Sequence, residues 1–132
     1  MISPAYALAL YLQSRSVGTF AADLFCAVEP AEPDNCLTCY DTGGTAPTSG
    51  WSHHCDPLFN TTVQVRSRNA SYESGYKALH DVRNEIMKLD HYTTNGTMLI
   101  GARASTDIFA LPRDDSGRYI HTINLDIKAM EA

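Results

Sequence analysis

Cys36 and Cys39 are the first residues of this chain whose types and spacing could do chemistry. With His53, His54 and Cys55 downstream, they supply enough nitrogen and sulfur donors for a tetrahedral zinc ion. The local pattern opposes that reading. Cys36-Leu37-Thr38-Cys39-Tyr40-Asp41 has the composition of a strand, in which side chains three apart leave on opposite faces, whereas a metal knuckle needs a tight turn. Cys26 falls in another expected strand, Leu24 to Val28, where it serves as a small buried hydrophobe. Structural free thiols are therefore the first expectation. A zinc site built from Cys36, Cys39, His53 and Cys55, or disulfide pairing, stands as the alternative, and an even count of four cysteines fixes no connectivity.

Other chemistry is sparse. The chain has no Gly-rich phosphate loop, no nucleophile elbow and no His-x-x-x-His pair. His53-His54-Cys55-Asp56 is the one cluster with the makings of a thiol hydrolase. Three glycosylation sequons, at Asn60, Asn69 and Asn95, are a small excess over chance, and each coincides with a strand start, a helix entry or a turn. No catalytic residue, cofactor or metal is expected.

Composition narrows the class. A chain of 132 residues suits one domain with a real core. Its 44% hydrophobic and 19% charged residues are ordinary for a globular protein. The formal net charge of -5 argues against a main task of gripping phosphates. No apolar run approaches the roughly 18 residues of a membrane span. Pro4 to Leu12 is apolar but has no Lys or Arg ahead of it, so it reads as a helix and not as a signal peptide. Ser3 can cap that helix, Pro4 suits its first position and Gly18 its end. Being apolar nearly all round, it should bury more than one face, one of them open to a neighbouring subunit.

The elements that must position everything else follow in order. Short strands are expected at Leu24 to Val28 and Cys36 to Tyr40, separated by the breaker-rich Glu29-Pro30-Ala31-Glu32-Pro33-Asp34-Asn35. Residues Asp41 to Pro57, rich in Gly and Pro, read as one long irregular loop. Trp51, the only tryptophan, sits in it, either folded onto its own core or anchoring a partner. Thr62 to Arg68 alternates as a half-buried strand. Ser71 then caps a helix running to about Asp90, with Tyr72, Tyr76, Leu79, Val82, Ile86 and Leu89 on one core-facing stripe. Asn95-Gly96 makes a tight turn, Thr97 to Leu111 supplies strand material, and Pro112 to Arg118 is a polar turn. The last strand places Tyr119, His121, Ile123, Leu125 and Ile127 on the core face. The implied order is helix, three strands, helix, three strands. That is an α+β fold: two layers, a mixed and mostly antiparallel sheet with both helices packed on one face.

With those residues in place, a resemblance can be stated. Val63-Gln64-Val65-Arg66-Ser67-Arg68, the helix opening at Ser71-Tyr72, the Pro112-x-Asp114-x-x-Gly117-Arg118 turn and the closing Ile123-Asn124-Leu125 resemble the tail-terminator family of long-tailed bacteriophages. Asp41-Thr42-Gly43-Gly44 is similar to that family's Asp-x-Gly-Gly segment. The likeness spans most of the chain, and the cysteine content of Cys36 to Cys55 is not a feature of the family. It implies a non-enzymatic virion protein forming a hexameric ring on the head-proximal end of the tail tube. Its partners would be copies of itself, the tube protein and the head connector, with no membrane. DNA would pass through an acidic lumen without specific binding. The long loop and the Pro112–Arg118 turn would project towards axial neighbours. Trp51, Arg66, Arg68, Arg113, Asp114, Asp115 and Arg118 become interface candidates, with Arg66 and Arg68 placed to pair with Asp114 or Asp115 across subunits. A phage head-completion or neck adaptor is the nearest alternative, and a secreted disulfide-bonded binding domain a more distant one.

Overall fold

The computed structural model describes residues 1–45 and 58–132, with Phe59 described through its backbone only. Helix α1 spans Pro4–Ser14, followed by β1 Leu24–Cys26, β2 Cys36–Thr45 and β3 Leu58–Asn69. Helix α2 spans Tyr72–Ile86, and then come β4 Tyr92–Thr94, β5 Thr97–Ala104, β6 Phe109–Leu111 and β7 Tyr119–Glu131. One sheet runs in the order β1-β2-β3-β7-β5-β4, with β6 also on β7. Among the described strands only the β1–β2 pair is parallel. Strands β5 and β6 lie end to end along the same side of β7, so they act as one interrupted strand. The α+β architecture expected from the pattern is the one found.

The spine is β3 against β7, antiparallel from Leu58↔Met130 to Asn69↔Tyr119. Their alternation puts Val63, Val65, Ile123, Leu125 and Ile127 on one face with Leu37, Cys39 and Leu99 from neighbouring strands, all buried. Both helices cover that face. Helix α1 starts as its sequence dictates, with Ser3 Oγ accepting the Tyr6 amide and Pro4 where no hydrogen-bonded amide is needed. Ala5, Ala7, Leu8, Ala9, Tyr11 and Leu12 are all buried within this one chain, which accounts for the apolar character all round the helix. Its end differs from expectation: Arg15 is the cap and Ser16 takes the left-handed turn (φ 64°), ahead of Gly18. Two clips tie the start of the helix to the sheet. Asp41 Oδ1 accepts the Ala5 amide, and the buried Thr97 hydroxyl exchanges bonds with both Ile2 backbone groups.

Helix α2 is capped by Ser71 and buries Leu79, Val82 and Ile86. It ends earlier than expected. Lys88 and Leu89 donate to Glu85 and Ile86, three residues back, tightening the last turn before the chain leaves. The Tyr11 hydroxyl donates to Glu85 O at 2.7 Å and joins the two helices.

Three further expectations need correcting. Residues Asp41 to Thr45 are not loop but the outer half of β2, carried past a bulge at Asp41/Gly43. Gly43 and Gly44 have φ of 106° and 127°, and a Cβ on Gly44 would collide with Asn60 O, so the twist there requires glycine. A fourth strand follows α2, since Tyr92–Thr94 pairs back on β5 about Asn95-Gly96. Tyr72 and Tyr76 are not core residues, being 45% and 38% exposed. Among the described residues no helix is long and apolar enough to cross a membrane.

Candidate assembly surfaces

The second sheet face carries the polar members of the same strands, and the residues singled out from the sequence converge on part of it. Arg66 and Arg68 alternate with the buried Val65 and Ser67, so they leave β3 away from the helices. There the Glu29–Asp34 link folds over the sheet. Arg68, only 3% exposed, donates to Glu29 Oε1 at 3.0 Å and to the Pro33 carbonyl at 2.6 Å. Arg66 Nε lies 2.9 Å from the other Glu29 oxygen without a well-aimed hydrogen bond. Arg118 reaches the same link from the far turn, donating to Ala31 O at 2.8 Å and approaching Asp34 at 3.3 Å.

The Pro112–Arg118 turn is thereby bound to the link. Asp114 accepts the Ser116 and Arg118 amides and the Arg118 Nε at 2.8 Å. Partial burial pushes its carboxyl upward, but the Arg118 backbone and side-chain bonds outweigh that and hold it below the usual carboxylate range. Arg113 donates to Gly117 O and lies over the Tyr119 ring at 4.6 Å, while Asp115 is exposed. Three arginines and the carboxylates Glu29, Asp34 and Asp114 thus form a clasp inside one chain. Within the chain the partner of Arg66 and Arg68 is Glu29, in a link whose prolines and lack of periodicity gave no signal for it.

On the helix side one polar site interrupts the core. His121 and Ser67 are register partners, both 1% exposed, and neither ring nitrogen nor the hydroxyl has a partner. Tyr72 and Tyr76 meet the imidazole edge-on at 4.6 and 6.1 Å, and Tyr72 also meets Tyr119. Gly75 lets α2 settle onto this pair, since a Cβ there would sit 3.1 Å from His121 Nδ1. Burial lowers the His121 pKa, opposed by the Glu73 carboxylate, so the ring is held neutral. The alternation of β7 located His121; the partnerless hydroxyl beneath α2 carried no sequence signal.

The cysteines are placed for packing. Cys36 pairs in register with Arg68 and Cys39 with Val65, so the two side chains occupy opposite faces and cannot bind one ion together. Burial raises the thiol pKa of Cys26, Cys36 and above all Cys39, which lies in the core. All three are free thiols. Among the described residues no three His, Cys, Asp or Glu side chains group as metal ligands. Trp51, His53 and Cys55 lie outside the described residues.

The sheet edges are unequal. At β1, Leu24 exchanges backbone bonds with Thr19 and Ala21, and Cys26 O accepts the Val28 amide, so local turns occupy that edge. Beyond β6, by contrast, Ala110 is exposed between the large exposed side chains Phe109 and Leu111, and Pro112 ends the strand.

Comparison with known proteins places this architecture. A family model described as bacteriophage tail terminator protein matches residues 11–130, from the last turn of α1 to the penultimate residue of β7. Among solved structures, a chain of the virion of a native gene transfer agent particle superposes with a TM-score of 0.59. That match covers 98% of this chain and 94% of the other at 15% identity, a likeness of fold. No curated protein matches.

Proposed function

Because the chain belongs to the bacteriophage tail terminator family and is a structural tail protein of the virion, we propose that copies of it close into a ring. The ring sits on the head-proximal end of the tail tube, stops tube growth and offers its other surface to the head connector. The family match over nearly the whole chain carries this reading. Three physical features support it. The β2–β3 hairpin continues beyond the two helices' cover, with Asp41 to Thr45 all exposed, and so offers a backbone arm to an axial neighbour. Interlocked β3 and β7 give a rigid body from which such an arm can project. A charge of -5 per copy makes a ring lumen repel phosphates, so a genome slides past it. Six copies, assembly in the host cytoplasm and a place at the joint between capsid and tail complete the reading.

Native mass spectrometry of the purified protein, alone and with purified tail-tube protein, tests it. A closed oligomer that binds tube ends and halts their elongation is expected. A monomer inert towards tube ends would remove the terminator role, and binding to the head connector alone would point to a neck adaptor.

A further inference from the structure

A polar groove of ≈ 510 Å3 opens between the end of α1, one flank of α2 and the first strands of the sheet. Arg15, Asp23, Ser67, Asp81, Glu85 and Lys88 line it. Its two cations are both held by one acid: Arg15 lies 2.9 Å and Lys88 3.5 Å from Glu85. The Arg15 hydrogen bond is the main reason the Glu85 carboxyl is held below its ordinary range. Asp23 and Asp81 are left as surplus carboxylates. Asp23 accepts the Thr19 amide, and among the described residues Asp81 takes only Lys77, itself 75% exposed. Ser67 also lines the groove, and its buried hydroxyl has no partner among the described residues. The groove therefore has unused acceptors and no unused cation.

A complementary group stands at the other end of the sheet. Arg103 on β5 is 82% exposed, and its one ionic contact among the described residues is Asp126 at 3.4 Å, itself 40% exposed. Strands β1 and β2 at the groove and β5 at Arg103 lie towards opposite ends of the strand order. A head-to-tail contact needs its two surfaces so disposed. Copies that each carry -5 repel one another unless their contact brings a cation against carboxylates. A guanidinium presents five donors, suited to several carboxylate and amide oxygens together.

We propose that the groove receives the Arg103 side chain of the next copy, joining successive subunits of the ring. The proposal rests on the ring reading above and names the contact that closes it. The test compares the wild type with Arg103→Glu, Asp81→Arg and the double variant by native mass spectrometry and sedimentation, with circular dichroism as the check on folding. Both positions are solvent-accessible, and Arg103→Gln serves as a milder second variant. Each single reversal is expected to weaken association by about tenfold or more, and the double variant to recover it. Singles that assemble like the wild type, or a double that fails to recover, would overturn the groove contact and leave the ring standing. A wild-type protein that never associates, with or without tube protein, would remove both.

Discussion

The two faces of the sheet are held by different physics. The helix side is apolar burial: Leu8, Leu12, Leu79, Ile123, Leu125 and Ile127 are sealed from water by α1 and α2. The opposite side is a charged clasp, in which Arg66, Arg68 and Arg118 bind the Glu29–Asp34 link and the Asp114 turn. An apolar face tolerates many sequences of similar volume. A clasp needs particular partners, and removing one strands the rest. The interface candidates Arg66, Arg68, Asp114 and Arg118 thus already have work within their own chain. The weakly engaged Arg103 is a freer charge for a neighbour.

Breaking the clasp at its buried member should cost most. Arg68→Ala leaves Glu29 Oε1 and the Pro33 carbonyl without their donor, while Arg66 still faces the other Glu29 oxygen, and a loss of about 3 kcal/mol is expected in urea unfolding. Adding Glu29→Gln to Arg68→Met should cost less than Arg68→Ala alone, which separates a stranded charge from lost packing. On the other face Leu125→Ala should cost about 2–5 kcal/mol through the cavity it opens, with no dependence on salt.

Acid should distinguish the faces next. The folded pKa of His121 is lowered, so the unfolded chain binds the extra proton first. Stability from its neutral ring is fully present above the unfolded value of about 6.5 and falls as pH drops through it, by at most about 1.4 kcal/mol per pH unit. The groups facing the ring are Tyr72 and Tyr76 from α2 and Ser67 from β3, with Glu73 near enough to oppose the shift. The Asp114 carboxyl has a lowered folded pKa, so its contribution is present above its ordinary value and is lost only at lower pH. His121→Phe should flatten the loss between pH 7 and 5 in chemical denaturation while leaving the more acidic limb. The smallest effect should come from Lys77→Ala, which removes an exposed i,i+4 pair with Asp81 worth about 0.3–0.5 kcal/mol. A thermal melt shifted by several degrees would give that pair more weight than its exposure allows.

Much of the scaffold was legible. Period-two alternation in Thr62 to Arg68 and Tyr119 to Ile127, and the Leu79-Val82-Ile86 stripe, located β3, β7 and α2 because each buries one face against a neighbour. Legibility failed where pairing is between distant residues. Asp41 to Thr45 read as loop from its glycines, yet the partner strand Asn60 to Val63 draws it into the sheet and the glycines serve a bulge. Tyr72 and Tyr76 fit the helical period but overhang the sheet's end, where His121 and Tyr119 give them edges to lean on and no cover.

Local order alone determined which segments are helix and strand and which face of each avoids water, since those follow from periodicity within a few residues. Only the folded chain decided that Glu29 meets Arg66 and Arg68, that Gly75 rests on His121, and that Arg15 and Lys88 share Glu85. Charge and hydrogen-bond partners are chosen by proximity in space, and proximity is set by how the sheet orders its strands.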